Sequence, residues 1–127
     1  MFKDTKAFSG FSVDDVAAAK EFYGQTLGID VDEENGILTL NIAGDRPTIV
    51  YPKGEQHEPA SFTVLNFPVS DIESAVDQMA ERGIEFERYE SMEEVTDERG
   101  IMRGGGPLIA WFTDPAGNVL SVMEIDE

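Results

Sequence analysis

Residues Trp111 to Ile125, WFTDPAGNVLSVMEI, decide how the rest of the chain is read. Two runs of strand-forming residues flank Asp114-Pro115-Ala116-Gly117-Asn118. Proline presets one turn dihedral and Gly-Asn tolerates positive φ, so the stretch predicts a β-hairpin. Beyond the turn Val119, Ser121 and Met123 alternate with Leu120, Val122 and Glu124, which assigns the two sets to opposite faces of a sheet.

Working outward, Lys6 to Val13 reads as a strand. Asp14 or Asp15 stands where an N-cap belongs, and Val16, Ala19, Phe22, Tyr23 and Leu27 recur at helical spacing before a stop at Gly28. Ile29 to Glu33, Ile37 to Ile42 and Thr48 to Tyr51 predict three short strands, divided by Asn35-Gly36 and Gly44-Asp45. Residues 53–59 are polar and turn-rich, the composition of a linker. Ser61 to Val69 predicts a further strand, with Pro68 suggesting a sheet edge or bulge. Ser70-Asp71-Ile72-Glu73 fits a capping box, and the apolar stripe of Ile72, Ala75, Val76, Met79 and Ala80 runs on to Gly83. Ile84 to Arg88 is the next expected strand. Tyr89 to Gly106 is long for a plain connection and reads as a hairpin excursion or a lid, and Leu108 to Thr113 and Asn118 to Ile125 complete the set.

Phe11-Ser12-Val13-Asp14-Asp15-Val16 overlays Phe67-Pro68-Val69-Ser70-Asp71-Ile72, and Gly28-Ile29 answers Gly83-Ile84. The chain therefore carries an internal repeat of a βαβββ unit, too small to bury both faces of its own sheet. The expected fold is α+β: one domain over residues 1–127, with βαβββ modules at 5–52 and 60–126 joined by the linker 53–59. The modules are expected to pair curved mixed sheets around a cup-shaped cleft.

Composition narrows the function classes. The chain of 127 residues has no cysteine, which removes thiolate metal sites, thiol nucleophiles and disulfides together. Its net charge is -17, from 26 acids against 9 bases, so phosphate backbones and anionic lipid surfaces are repelled; the charge reads as solubility, with attraction of a cationic ligand as the alternative. We expect no nucleic-acid partner, no membrane partner and a cytoplasmic location. No apolar run approaches the roughly 18 residues of a membrane span, and the glycines at 104–106 lack the Gly-Lys-Ser/Thr sequel of a phosphate loop.

The repeat, the pattern from Asp14-Asp15 through Phe22-Tyr23 to Leu27-Gly28, and the closing F-x-D-P-x-G-N-x-L of Phe112 to Leu120 resemble the vicinal oxygen chelate superfamily. That group includes glyoxalase I, extradiol dioxygenases, fosfomycin-resistance enzymes and bleomycin-binding proteins. The resemblance implies a homodimer. In its metal enzymes His, Glu or Gln from the first and last strands of each unit hold one divalent ion, the donors such a cation needs. Carried over, those places fall on Phe8, Val64, Ser121 and an undetermined position within Thr48 to Tyr51, none of which offers such a ligand. We therefore expect no metal and no cofactor. His57, the single histidine, reads as a solvated linker residue, with a substrate contact or general-base role as the alternative.

The faces as read line the cleft with Phe8, Gly10, Ser12, Tyr51, Val64, Asn66, Trp111 and Ser121. Apolar walls with a few hydroxyls and an amide suit a small organic molecule, although the same residues also describe a packed interior. Arg103 is the base expected near the mouth, suited to a ligand carboxylate. The first functional reading is metal-free binding of a small molecule. The alternatives are a divalent-metal-dependent lyase, isomerase or dioxygenase of the glyoxalase type, a metal-free enzyme, and a non-catalytic interaction module.

Overall fold

The computed structural model describes residues 1–43 and 47–125 and divides into two compact units, Met1–Pro59 and Ala60–Glu127. In the first unit β1 (Ser9–Val13) leads to α1 (Val16–Glu21), and β2 (Asp30–Glu34), β3 (Ile37–Asn41) and β4 (Thr48–Pro52) follow. The second has β5 (Thr63–Val69), α2 (Ile72–Glu81), β6 (Ile109–Thr113) and β7 (Val119–Glu124). The sheets are mixed, with strand orders β1-β4-β3-β2 and β5-β7-β6. Among the described residues no helix is long and apolar enough to cross a membrane.

The α+β class and the repeat are both visible in the ladders. β1 pairs in parallel with β4, Val13 opposite Pro52, and β5 pairs in parallel with β7, Val69 opposite Glu124. Each unit is thus closed by its own first and last strands.

In the first unit Asp15 caps α1 by accepting from the Ala18 amide at 3.2 Å. The apolar stripe behind it continues through a π-helical turn, Phe22–Thr26, where the Leu27 amide donates to Phe22 O at 2.9 Å. Gly28, at φ +73°, then reverses the chain as its position predicted. Val13, Leu38, Leu40 and Val50 pack with Ala19 and Tyr23 as the core on the helix side of the sheet. The Asn35-Gly36 turn has φ of +54° and +79°, the two left-handed residues that a tight hairpin requires. The other expected turn, at Gly44-Asp45, lies outside the described residues.

The second unit departs from the sequence reading in two places. Helix α2 begins one residue later than the Ser70 capping box requires. Asp71 is its N-cap, accepting from the Ser74 amide at 3.2 Å, while Glu73 is drawn away to Arg99. Residues 84–88 do not form a ladder strand: they run beside β6 with the Glu87 amide donating to Trp111 O at 2.7 Å. Arg88, the last of them, turns into the following loop, donating to Asp97 O at 2.7 Å and to Glu93 at 2.9 Å. This unit is therefore βαββ, with the expected third strand reduced to an extended flank. Pro68 does lie on an edge strand, β5, where its missing donor costs the sheet nothing.

The hairpin that opened the reading is organised around a buried carboxylate. Asp114 Oδ1 accepts from the amides of Ala116 (3.0 Å) and Asn118 (2.8 Å), and its Oδ2 accepts from Asn118 Nδ2 at 3.1 Å. Asn118 Oδ1 in turn accepts from the Ala60 amide at 3.0 Å, tying the turn to the start of the unit. Gly117 takes φ +85° where the chain re-enters β7.

Candidate functional site

In each unit the helix covers one sheet face and the candidate residues lie on the other. On the open face of the first unit Gly10 and Ser12 follow one another along β1, with Phe8 just ahead of the strand, beside Ile49 and Tyr51 of β4. Phe8 is 65% exposed and Tyr51, on β4, 36%, large values for aromatic side chains. The Tyr51 ring leans over Gly10, where a Cβ would meet Tyr51 Cε1 at 3.7 Å and Ile49 O at 3.3 Å.

His57 is not simply a solvated linker residue. The Lys53 amide donates to Val13 O at 2.9 Å, a 3-10 turn spans Gly54–Gln56, and the half-buried His57 ring then reaches Ser12, Nδ1 lying 2.8 Å from Ser12 Oγ. The segment read as a linker is thereby fastened to the edge of the open face. It adds an imidazole to that face, which local sequence around His57 gave no reason to expect.

In the second unit Asn66, Ser121 and Trp111 stand side by side on β5, β7 and β6, paired Asn66 with Ser121 and Trp111 with Ser121. The indole reaches across β7, Nε1 donating to Thr63 Oγ1 at 3.2 Å. Ser121 consequently has no exposed surface and donates to Asn66 Oδ1 at 2.6 Å. It orients the exposed amide rather than presenting its own hydroxyl. Val64 sits at an irregularity in the β5–β7 register, between Thr63 and Leu65. Tyr89, which sequence reasoning left in the excursion, meets Trp111 edge to face, centroids 5.7 Å apart. Burial first and the Glu87 charge second push its phenol pKa up.

Arg103 is occupied within the excursion. Its Nε donates to Asp97 Oδ2 at 2.9 Å and its Nη2 lies 3.5 Å from Glu73 on α2. Asp97 also accepts from the amides of Arg99 (2.9 Å) and Ile101 (3.0 Å). Burial alone would raise the Asp97 pKa, but these hydrogen bonds and Arg103 outweigh it and hold the carboxyl below its ordinary value. The stretch expected as a flexible excursion or a lid is thus a folded loop, with a 3-10 turn at Glu90–Val95 and bridges from Met102 to Thr96 and Ile109.

The repeat also locates the one family position that spacing left undetermined. With Val13 equivalent to Val69 and Pro52 to Glu124, the counterpart of Ser121 is Ile49. The four family positions hold Phe8, Ile49, Val64 and Ser121: three hydrocarbons and a hydroxyl already bonded to Asn66. This set does not fit a divalent ion. Among the described residues, no three His, Asp or Glu side chains gather to form one elsewhere. A depression over α1, lined by Asp14, Asp15, Lys20, Glu21, Gln25 and Glu33, lies away from the open face. Its lysine is already bridged to Glu33 at 3.0 Å.

Two units, each a helix-backed mixed sheet closed by parallel first and last strands, define the glyoxalase class of fold. The chain belongs to the Glyoxalase/Bleomycin resistance protein/Dioxygenase superfamily, whose model matches residues 8–122. A glyoxalase family protein from Enterococcus faecalis is similar at 25% identity and TM-score 0.68, over 98% of this chain and 100% of that one. A putative glyoxalase family protein from Bacillus anthracis gives 18% identity and TM-score 0.69, covering 99% and 100%. TnmS3, an antibiotic binding protein from Streptomyces sp. CB03234, gives 21% and 0.66, covering 94% and 96%. No curated protein matches the chain.

Proposed function

We propose that the protein binds a small organic molecule against the open sheet faces, as a homodimer, and that it does so without a divalent metal. The observation that carries this reading is the chemistry of the four family positions. Phe8, Ile49 and Val64 offer apolar contact where an ion would need donors, and Ser121 steadies Asn66 as a hydrogen-bonding group. The antibiotic-binding relative supports the class of ligand.

The test is a thermal-shift and calorimetric screen against neutral, anionic and cationic organic compounds, run with and without EDTA. A ligand present at a hundred times its Kd stabilises by about 2.7 kcal/mol, and EDTA should leave that shift unchanged. A stoichiometric divalent ion in protein purified without chelators, or a screen in which no compound stabilises, overturns the reading. Light scattering on the eluting protein checks the dimer.

A further inference from the structure

We propose that Trp111, Tyr89 and Glu87 form a seat for a ligand carrying an alkylammonium group. This rests on the small-molecule reading above and names the chemistry that one part of the surface would select.

Three observations converge. The rings of Trp111 and Tyr89 are inclined at 76° with centroids 5.7 Å apart, a corner in which a cation can touch the electron-rich faces of both. Both residues are only half-buried. The indole is held in place by its Thr63 hydrogen bond, so the corner exists before a ligand arrives.

Glu87 adds the charge. Its amide donates to Trp111 O, which fixes its place beside β6. In this extended flank the Phe86 ring turns to the buried Phe112, 6.0 Å away on the helix side. Alternation therefore sends Glu85, Glu87 and Tyr89 to the open face with Trp111. The Glu87 charge is near enough to raise the Tyr89 phenol pKa. Arg88, between Glu87 and Tyr89 in the chain, is turned to Glu93 and Asp97, so this flank brings no cation of its own to the corner. An aromatic corner beside a carboxylate favours a cation of low hydration, and the net charge of -17 raises its local concentration.

Trp111 is the single tryptophan, so its fluorescence reports on this corner alone. The probes are choline and its neutral isostere 3,3-dimethyl-1-butanol, titrated into the parent protein, Glu87→Gln and Tyr89→Leu. We expect choline to change the emission saturably and bind about fivefold or more tighter than the isostere. Glu87→Gln, on a half-exposed side chain, should bring that ratio down severalfold while the melting temperature holds. Tyr89→Leu should weaken choline, and if it melts early, the Glu87→Gln ratio decides. Equal binding of choline and isostere, or silence toward both while another compound moves Trp111, overturns the ammonium seat and leaves small-molecule binding standing. Failure of every compound of any charge overturns both.

Discussion

Asp114→Asn is an isosteric change that should cost about 2 kcal/mol, and Asn118→Asp made with it should restore most of the loss. The reasoning is geometric. Asp114 accepts from the amides of Ala116 and Asn118 on Oδ1 and from Asn118 Nδ2 on Oδ2. An asparagine keeps the first oxygen but sets an NH2 against the NH2 of Asn118. Asn118 cannot rotate its amide to help, because its oxygen already accepts from the Ala60 amide. Asn118→Asp alone sets two carboxylates against each other at the present 3.1 Å contact, for a loss of about 2–3 kcal/mol. The double variant again places a donor opposite an acceptor and leaves Ala60 its partner. Asp114→Ala removes these acceptor contacts at a site only 4% exposed and should cost about 3–5 kcal/mol. Urea unfolding at neutral pH measures all four. For a chain of this size, each kcal/mol corresponds to roughly 4 °C in Tm. A double variant as unstable as the sum of its singles would refute the reasoning, as would an Asp114→Asn protein as stable as the parent.

Asp97 has a folded-state pKa below its ordinary value of 3.8, so its contribution is complete above that value and is lost as pH falls through the folded one. Asp97→Asn should be less stable than the parent at pH 7 by about 1–2 kcal/mol, with the gap narrowing toward pH 2; a constant gap contradicts the assignment. Gly100→Ala should destabilise by about 2–3 kcal/mol, because Gly100 has φ +90° and an added Cβ would lie 2.8 Å from Phe86 Cβ; denaturant unfolding reads it. Trp111→Phe removes the donor to Thr63 and the cover over Ser121, for about 1–2 kcal/mol. Amide exchange in β7 should quicken most near Ser121, and uniform protection there would argue against the indole as its cover.

Local signals carried far because each was backed by a physical requirement. Asn35-Gly36 and Asp114 to Asn118 were readable since only certain residues tolerate their dihedrals, and α1 followed from an apolar stripe that a helix must bury. The failures share a cause. Ser70 and Glu73 satisfy the capping-box pattern, but Glu73 has a better partner in Arg99, 26 residues away, which no local motif reveals. Residues 84–88 alternate as a strand should, yet Arg88 is claimed by Asp97 and Glu93, leaving one backbone bond to β6. Site residues divided the same way. Alternation alone placed Ser12, Tyr51, Asn66 and Trp111 on their strands, whereas Phe8, expected within the first strand, precedes it. Arg103 and Ser121 were named for exposed roles, and pairings with Asp97 and Asn66 now occupy them. His57 belongs to the open face through Ser12, 45 residues earlier, and Tyr89 through Trp111.

The parallel pairing of β5 with β7 also bears on the order in which the protein is made. The middle strand of the second sheet is the last one translated, and β5 and β6 have no ladder between them until it arrives. During synthesis the first sheet can close as soon as β4 emerges, whereas the second must hold Leu65, Phe67, Ala110 and Phe112 without a central strand. Those residues are the chain's most exposed liability on the ribosome. A nascent chain arrested before Val119 should therefore carry a protected first unit and a protease-sensitive second one.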